Sequence, residues 1–240
     1  MNAARTEAQQ MERLMGMAAG LESDSDSDSE SIVETRLAAL ESLEFLVSKR
    51  HNADDFARMG GLVLIAPLWN DTVTVKVMVG ADGELLADAD ADAEAGALVR
   101  ASSDLAIASL WVLGSAAKYN PVAAEAALEA GAVPLVLRAL EANTEAARRL
   151  AMAMEIEASS GGSTTAQVQE HDAYDLIRPA RGAAKALYAL GALLRGGEPA
   201  QEQARGLGGG AVLVRSLAGA GYAMRTFEKH GGAAGAKLGR

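Results

Sequence analysis

The chain contains no cysteine and few aromatic residues, and both shortages restrict its fold and chemistry. Without cysteine, disulfides, a thiolate nucleophile and a cysteine-ligated zinc site are excluded. Aromatic residues make up only 4% of the 240 residues, although half of the residues are hydrophobic, and alanine supplies much of that half. Alanine is the best helix former, whereas the cores of β-sheets favour valine, isoleucine and aromatic residues. The composition therefore predicts an all-α protein.

Positively charged residues are also fewer than negatively charged ones. Lysine and arginine number 22 against 32 aspartates and glutamates, which leaves a net charge of −10. Such a chain repels polyanions, so we expect no nucleic-acid partner and no membrane binding. No apolar stretch approaches the length of a membrane span, and residues 1–21 lack the apolar core of a signal peptide. We therefore expect a cytoplasmic protein; a leader preceding this N-terminus would change that expectation to the lumen of the endoplasmic reticulum.

Motifs for catalysis or metal binding are lacking. Residues 206–211, GLGGGA, fit a degenerate dinucleotide-binding pattern, but they follow a predicted helix, and a Rossmann glycine loop must follow a strand. Residues 88–94, DADADAE, alternate like a calcium loop, yet Ala93 stands where that loop needs glycine and Val99 where it needs glutamate. The three histidines show no metal-ligand spacing. We expect no enzymatic activity, no cofactor and no metal site.

Two phrases of the sequence are nearly the same. Residues 109–121 read SLWVLGSAAKYNP and residues 186–199 read ALYALGALLRGGEP, with Trp111 and Tyr188 in matching places among matching leucines. Each phrase is followed by a short predicted helix, a glycine and an apolar run, and residues 39–62 show the same order. Repeated helical units that are too small to bury their own apolar faces are typical of an α-solenoid.

Three segments of these repeats carry a family resemblance. They are ALESLEFLVSKRHNADDFARMGGL (39–62), ASLWVLGSAAKYNPVAAEAALEAGAVPLVL (108–137) and AAKALYALGALLRGGEPAQEQARGLGG (183–209). Together they resemble the armadillo-type nucleotide exchange factors of DnaK-type (seventy-kilodalton heat-shock) chaperones, a family with cytosolic and endoplasmic-reticulum members. The resemblance implies an armadillo-like α-solenoid, a right-handed superhelix of helical repeats. It also implies a co-chaperone that binds the chaperone's nucleotide-binding domain and promotes ADP release.

The repeats divide the chain into two parts. Residues 1–31 are predicted to be a flexible N-terminal segment, amphipathic at first and then disordered through an acidic run, ESDSDSDSES. Residues 32–240 form the predicted repeat domain. Two stretches fit the repeats poorly, near 71–99 and 152–178, and we interpret them as insertions or long loops; a short hairpin at 72–86 is an alternative for part of the first. The family's C-terminal cap has no match in this chain, and we expect it to be missing.

The repeats also suggest a binding surface. In armadillo solenoids the long helices line a concave face, and Trp111, Ser115 and Lys118 lie on one stripe of such a helix. Tryptophan, tyrosine and arginine dominate interface hot spots, although aromatic residues at helical spacing also serve as core. Both interpretations of the aromatic residues remain open at this point. The partner-binding candidates are Glu44, Ser48, Trp111, Ser115, Lys118, Tyr188, Ala192 and Arg195.

A second function shares the same fold. A generic armadillo scaffold would bind an extended peptide or another helical protein in its groove, and the fold does not separate this function from nucleotide exchange. Importin-like peptide binders place an asparagine one turn after each groove tryptophan. Ser115 and Ala192 occupy those positions here, which argues against that subclass. In either case we expect a monomer whose partner is a protein, namely the nucleotide-binding domain of a DnaK-type chaperone under the first hypothesis.

Overall fold

The computed structural model describes residues 2–21, 29–70, 93–159 and 170–230. Within these ranges every regular element is an α-helix, which confirms the all-α prediction for this part of the chain. None of the helices in it is long and apolar enough to cross a membrane. The helices are α1 (Asn2–Ala19), α2 (Ser29–Val47), α3 (Arg50–Arg58), α4 (Gly61–Asn70), α5 (Ala93–Ala117), α6 (Pro121–Glu129), α7 (Ala132–Ser159), α8 (Glu170–Arg195), α9 (Glu198–Gly206) and α10 (Gly209–His230).

Nine of the helices fall into three successive units. Each unit has a long helix (α2, α5 or α8), then a helix of nine residues (α3, α6 or α9), then a third helix (α4, α7 or α10). The long helices pack side by side, with α5 between α2 and α8, and α7 lies between α4 and α10. Equivalent helices of successive units are therefore neighbours, which is the arrangement that the sequence repeats require.

The same turn separates the second and third helices of every unit. Gly60, Gly131 and Gly208 lie at φ values of 78°, 74° and 70°. A side chain is strained in this left-handed conformation, so glycine is the residue that ends the short helix at low cost. Gly131 and Gly208 are 77 positions apart, the same offset that separates Trp111 from Tyr188.

Asparagines connect the short helices to their surroundings. The buried amide of Asn52 donates to the carbonyl of Leu46 at 3.1 Å, which ties the start of α3 to the end of α2. Asn120 caps α6 by accepting from the amide of Ala123, and its own amide group donates to the carbonyl of Arg50. Because that second bond reaches α3, the cap of one unit is also a link to the preceding unit.

The N-terminal helix belongs to the folded body. Met11, Met15 and Ala18 of α1 are buried in the same apolar core as the repeats, and α1 packs on α2, α3 and α4. The Arg36 side chain of α2 donates to the carbonyl of Ala18. Helix α1 and the start of α2 at Ser29 thus fall within the segment 1–31 that the sequence predicts to be flexible, and α1 packs on the first unit. The acidic run at 22–28 lies outside the described residues.

The two predicted insertions are shorter than expected. Helix α5 begins at Ala93, so the last part of 71–99 is helical, and the suggested hairpin at 72–86 lies outside the described residues. Helix α7 continues through Ser159 and α8 begins at Glu170. Most of the segment 152–178 is thus helix rather than loop, and only residues 160–169 fall outside the described ranges.

Candidate partner-binding face

A row of hydrogen bonds crosses the three long helices. The hydroxyl of Ser115 on α5 donates to Oε1 of Glu44 on α2 at 2.7 Å. The same hydroxyl lies 3.5 Å from the phenolic oxygen of Tyr188 on α8. Ser115 is nearly buried, whereas Glu44 and Tyr188 are half-buried, so one edge of the row reaches the surface. Each unit therefore contributes one side chain to a single connected row.

A lysine and a tryptophan lie beside this row. The ammonium group of Lys185 on α8 is 3.3 Å from the centroid of the Trp111 ring on α5, a close cation–π contact. Trp111 remains 37% exposed. Burial lowers the pKa of Lys185, the nearby carboxylate of Glu44 opposes that shift, and the charge of Arg181 adds to it. Glu44, Trp111, Ser115, Lys185 and Tyr188 form what we call the long-helix cluster.

A second group of side chains lies at the C-terminal ends of α5 and α8. Tyr119, just after α5, is 71% exposed and has φ of 59°. The ammonium of Lys118 lies 5.8 Å from its ring centroid, and the guanidinium of Arg195 lies 5.7 Å from it on the α8 side. We call Lys118, Tyr119 and Arg195 the end cluster. It places two cations around one exposed ring, in a protein with a strongly negative net charge.

The structure distributes the predicted partner-binding residues unevenly. Glu44, Trp111, Ser115 and Tyr188 belong to the long-helix cluster, and Lys118 and Arg195 to the end cluster. Ser48 is exposed at the end of α2, where its hydroxyl donates to the carbonyl of Phe45. Ala192 is fully buried, so the expectation that it faces a partner is wrong. Its side chain extends only one carbon from the backbone, and packing between the helices covers it.

Three cations of the two clusters lie against two aromatic rings. Lys118 and Arg195 contact Tyr119, while the cation on Trp111 comes from the neighbouring helix α8. Tyr188 has a packing role as well as a polar one, because a Cβ placed on Gly114 would overlap its ring. Trp111 thus reaches the surface and Tyr188 joins two units, and partner binding by these aromatic residues stays a prediction.

Sequence reasoning missed three side chains of this region. The repeats do not mark Lys185, because its counterpart in the second unit is Ala108. Tyr119 lies within the phrase 109–121, but its counterpart in the later phrase is Gly196, so the comparison of the repeats does not mark it. Phe45 of α2 is 67% exposed, with the ammonium of Lys49 at 5.9 Å from its ring centroid. A search for lysines and arginines one turn from each aromatic residue would have found Lys185 and Lys49.

Among the described residues no group of histidine, aspartate and glutamate side chains is arranged to hold a metal ion. Comparison with protein-family models gives no match, and comparison with curated proteins gives none either. Function is therefore inferred from the residues of this chain.

Proposed function

We propose that this chain is an armadillo-like α-solenoid that acts as a nucleotide exchange factor for a DnaK-type chaperone. One observation carries the proposal. The three segments that resemble the family, 39–62, 108–137 and 183–209, each cover the same junction: the end of a long helix, the nine-residue helix and the start of the third helix. The resemblance thus recurs at equivalent positions of three units, which a chance match of one phrase would not produce.

The long-helix cluster and the end cluster are the proposed contact with the chaperone's nucleotide-binding domain. Their side chains already hold one another through hydrogen bonds and cation–π contacts, so little rotamer entropy remains to be lost on binding. Trp111 and Tyr119 offer exposed aromatic surface, and Lys118 and Arg195 offer positive charge. We expect the facing surface of the chaperone to be acidic, because complementary charge sets orientation and association rate.

The mechanism needs no catalytic residue in this chain. An exchange factor accelerates ADP release if it binds the open form of the nucleotide cleft more tightly than the closed form. A tenfold difference in affinity between the two forms corresponds to about 1.4 kcal/mol. A single well-packed aromatic contact made only with the open form is enough to supply that difference. In this proposal the chain itself binds no nucleotide and carries out no reaction.

The test is the release of fluorescent ADP from a DnaK-type chaperone, followed by stopped flow with and without the full chain. We expect acceleration that saturates with the concentration of this protein and weakens as salt rises, since exposed charges are screened. A folded chain that leaves the release rate unchanged over the whole concentration range contradicts the proposal. The generic scaffold would then be the better description.

Matched variants locate the contact. Trp111→Ala should reduce the acceleration by about tenfold or more, the cost typical of an interface hot spot. Lys118→Glu combined with Arg195→Glu should do the same and should also remove most of the salt dependence. Arg205→Glu on α9 reverses one charge outside both clusters, half the change in net charge of the double variant, and should have no effect. Equal activity of all these variants, with unchanged circular dichroism, would exclude this face as the chaperone contact.

A further inference from the structure

Among the described residues, none covers an apolar surface on the third unit. Val214, Leu217 and Met224 of α10 are 68%, 62% and 51% exposed, and Leu187 of α8 is 39% exposed. Between them a groove of about 250 Å³ runs over α7, α8 and α10, lined almost wholly by alanine, leucine and methionine side chains. A contiguous apolar surface of this kind on a water-facing helix pair marks an interaction site.

The preceding unit shows what kind of surface this is. The residues 77 positions earlier than Val214, Leu217, Met224 and Leu187 are nearly or fully buried. They are covered because α8 packs on α5 and α10 packs on α7. The open surface of the third unit is thus the continuation of an interface that the molecule already contains, and helices of this same type fit it. The buried counterparts are Leu137, Leu140, Ala147 and Leu110.

In the part of the chain that the structure describes, the opposite end does not offer a matching open surface. There α1 packs on the first unit, with Met11 and Met15 buried beneath it and Glu12 and Arg13 exposed on its outer side. A second copy could therefore not add head to tail without displacing α1. Pairing of the open surface with itself needs no displacement, and a contact of like with like closes at two subunits.

We propose that the chain forms a two-fold dimer in which α8 and α10 of one copy pack on α8 and α10 of a second copy. Ala184 and Ala220 line the groove among the larger apolar side chains, and Gly221 follows Ala220 on α10, so the helices can approach closely. The expectation of a monomer from the sequence is replaced by this proposal. Two copies that each carry a net charge of −10 repel one another, so salt should strengthen the dimer. This is the opposite of the salt effect expected for the chaperone contact.

Sedimentation equilibrium of the full chain, from sub-micromolar to high micromolar concentration, tests the proposal. We expect a monomer–dimer equilibrium whose dissociation constant falls as salt is raised. Leu217→Glu should weaken it by about tenfold or more, because a charge would have to be buried in an apolar contact. Val63→Glu is the matched control, since Val63 on α4 has the same 62% exposure and lies in the first unit. It should leave the dissociation constant unchanged.

A cysteine scan tests the symmetry. The chain has no cysteine, so Val214→Cys, Leu217→Cys and Gly221→Cys each introduce a single thiol on the open surface. In a two-fold dimer at least one of the three should form a disulfide between copies under mild oxidation, whereas Val63→Cys should not. A chain that stays monomeric at every concentration overturns the proposal. So does a dimer that Leu217→Glu leaves intact, or one in which none of the three cysteines crosslinks.

Discussion

At the scale of single residues, the contact between Gly114 and Tyr188 joins the second unit to the third. A methyl group on Gly114 would overlap the tyrosine ring and press on the backbone of Ala189. Overpacking of this kind costs about 1–3 kcal/mol, of which the better helix propensity of alanine returns about 1 kcal/mol. We therefore expect Gly114→Ala to lower the free energy of unfolding in a urea titration.

Gly191 supplies the matched control for that change. It occupies the equivalent place on α8, but a Cβ there would meet only the flexible end of Arg195 at 3.6 Å. Gly191→Ala should therefore raise the free energy of unfolding by up to about 1 kcal/mol. The two substitutions are chemically identical, but they should change the free energy of unfolding in opposite directions. A stabilising effect of both would show that the ring of Tyr188 moves aside at no cost.

The pKa of Glu145 predicts a pH dependence of the free energy of unfolding. Hydrogen bonds from Arg148 and Arg149 lower the pKa of its carboxyl to about 2, from an ordinary value of 4.5. Because the folded pKa lies below the unfolded one, the carboxylate adds stability above about pH 4.5 and loses that contribution as the pH falls toward 2. The side chains are well exposed, so the contribution at neutral pH is below about 1 kcal/mol.

Comparison of Glu145→Gln with the unchanged chain measures this contribution. The variant should be slightly less stable at pH 7, and the difference between the two urea midpoints should shrink as the pH is lowered from 5 to 3. Raising the salt concentration at pH 7 should shrink it as well. A constant difference across the pH range would mean that the arginines do not hold the carboxylate.

At the scale of helices, α1 is the element whose role differs most from expectation. Met11 is fully buried against the repeats, and truncating a buried methionine to alanine costs about 2–5 kcal/mol. We expect Met11→Ala to lower the free energy of unfolding by an amount in that range. Met152→Ala, the same change at an exposed position of α7, should have little effect. Equal and small effects of the two variants would instead support the flexible segment expected from the sequence.

The helices of the repeats were predictable because their signals are local. Leucine and alanine spacing marks the long helices, and a glycine that must adopt positive φ marks each turn. The docking of α1 was not predictable, because an amphipathic stripe of methionine and alanine shows that a face will be buried but not what will cover it. The long-helix cluster was predictable only where the repeat preserved a residue type, and Lys185 has alanine as its counterpart.

The helical structure at the end of α7 and the start of α8 was not predicted, for a different reason. Residues 152–178 look like a loop by composition, but several of their polar side chains have partners on other helices. The hydroxyl of Tyr222 donates to Glu155 at 2.6 Å, and Arg178 bonds Asp104 at 3.1 Å. These contacts join residues about 70 positions apart, so no local window of sequence contains both partners. Helix ends that depend on such contacts are decided by packing rather than by propensity.

At the scale of the whole molecule, stacked units should not be equally stable. In such an array each unit is stabilised by its neighbours, and the third unit has a neighbour on only one side within the described structure. Local opening there needs the loss of one interface, whereas opening of the second unit needs the loss of two. In dilute samples we therefore expect the amides of α10 to exchange hydrogen faster than those at equivalent positions of α7.

A substitution at Gly219 tests the coupling between the second and third units, because it alters the packing of α10 on α7. A Cβ at Gly219 would crowd the methyl group of Thr144, so Gly219→Val should push α10 away from α7. Exchange in α10 should become faster still, while exchange in α2 and α3 stays the same, because those helices pack mainly on α1, α4, α5 and α6. Ala218→Val, one residue earlier on the exposed side of α10, is the matched control and should leave exchange nearly unchanged. Uniform acceleration along the chain in the Gly219 variant would show that the units open together, as one cooperative body rather than as a stack.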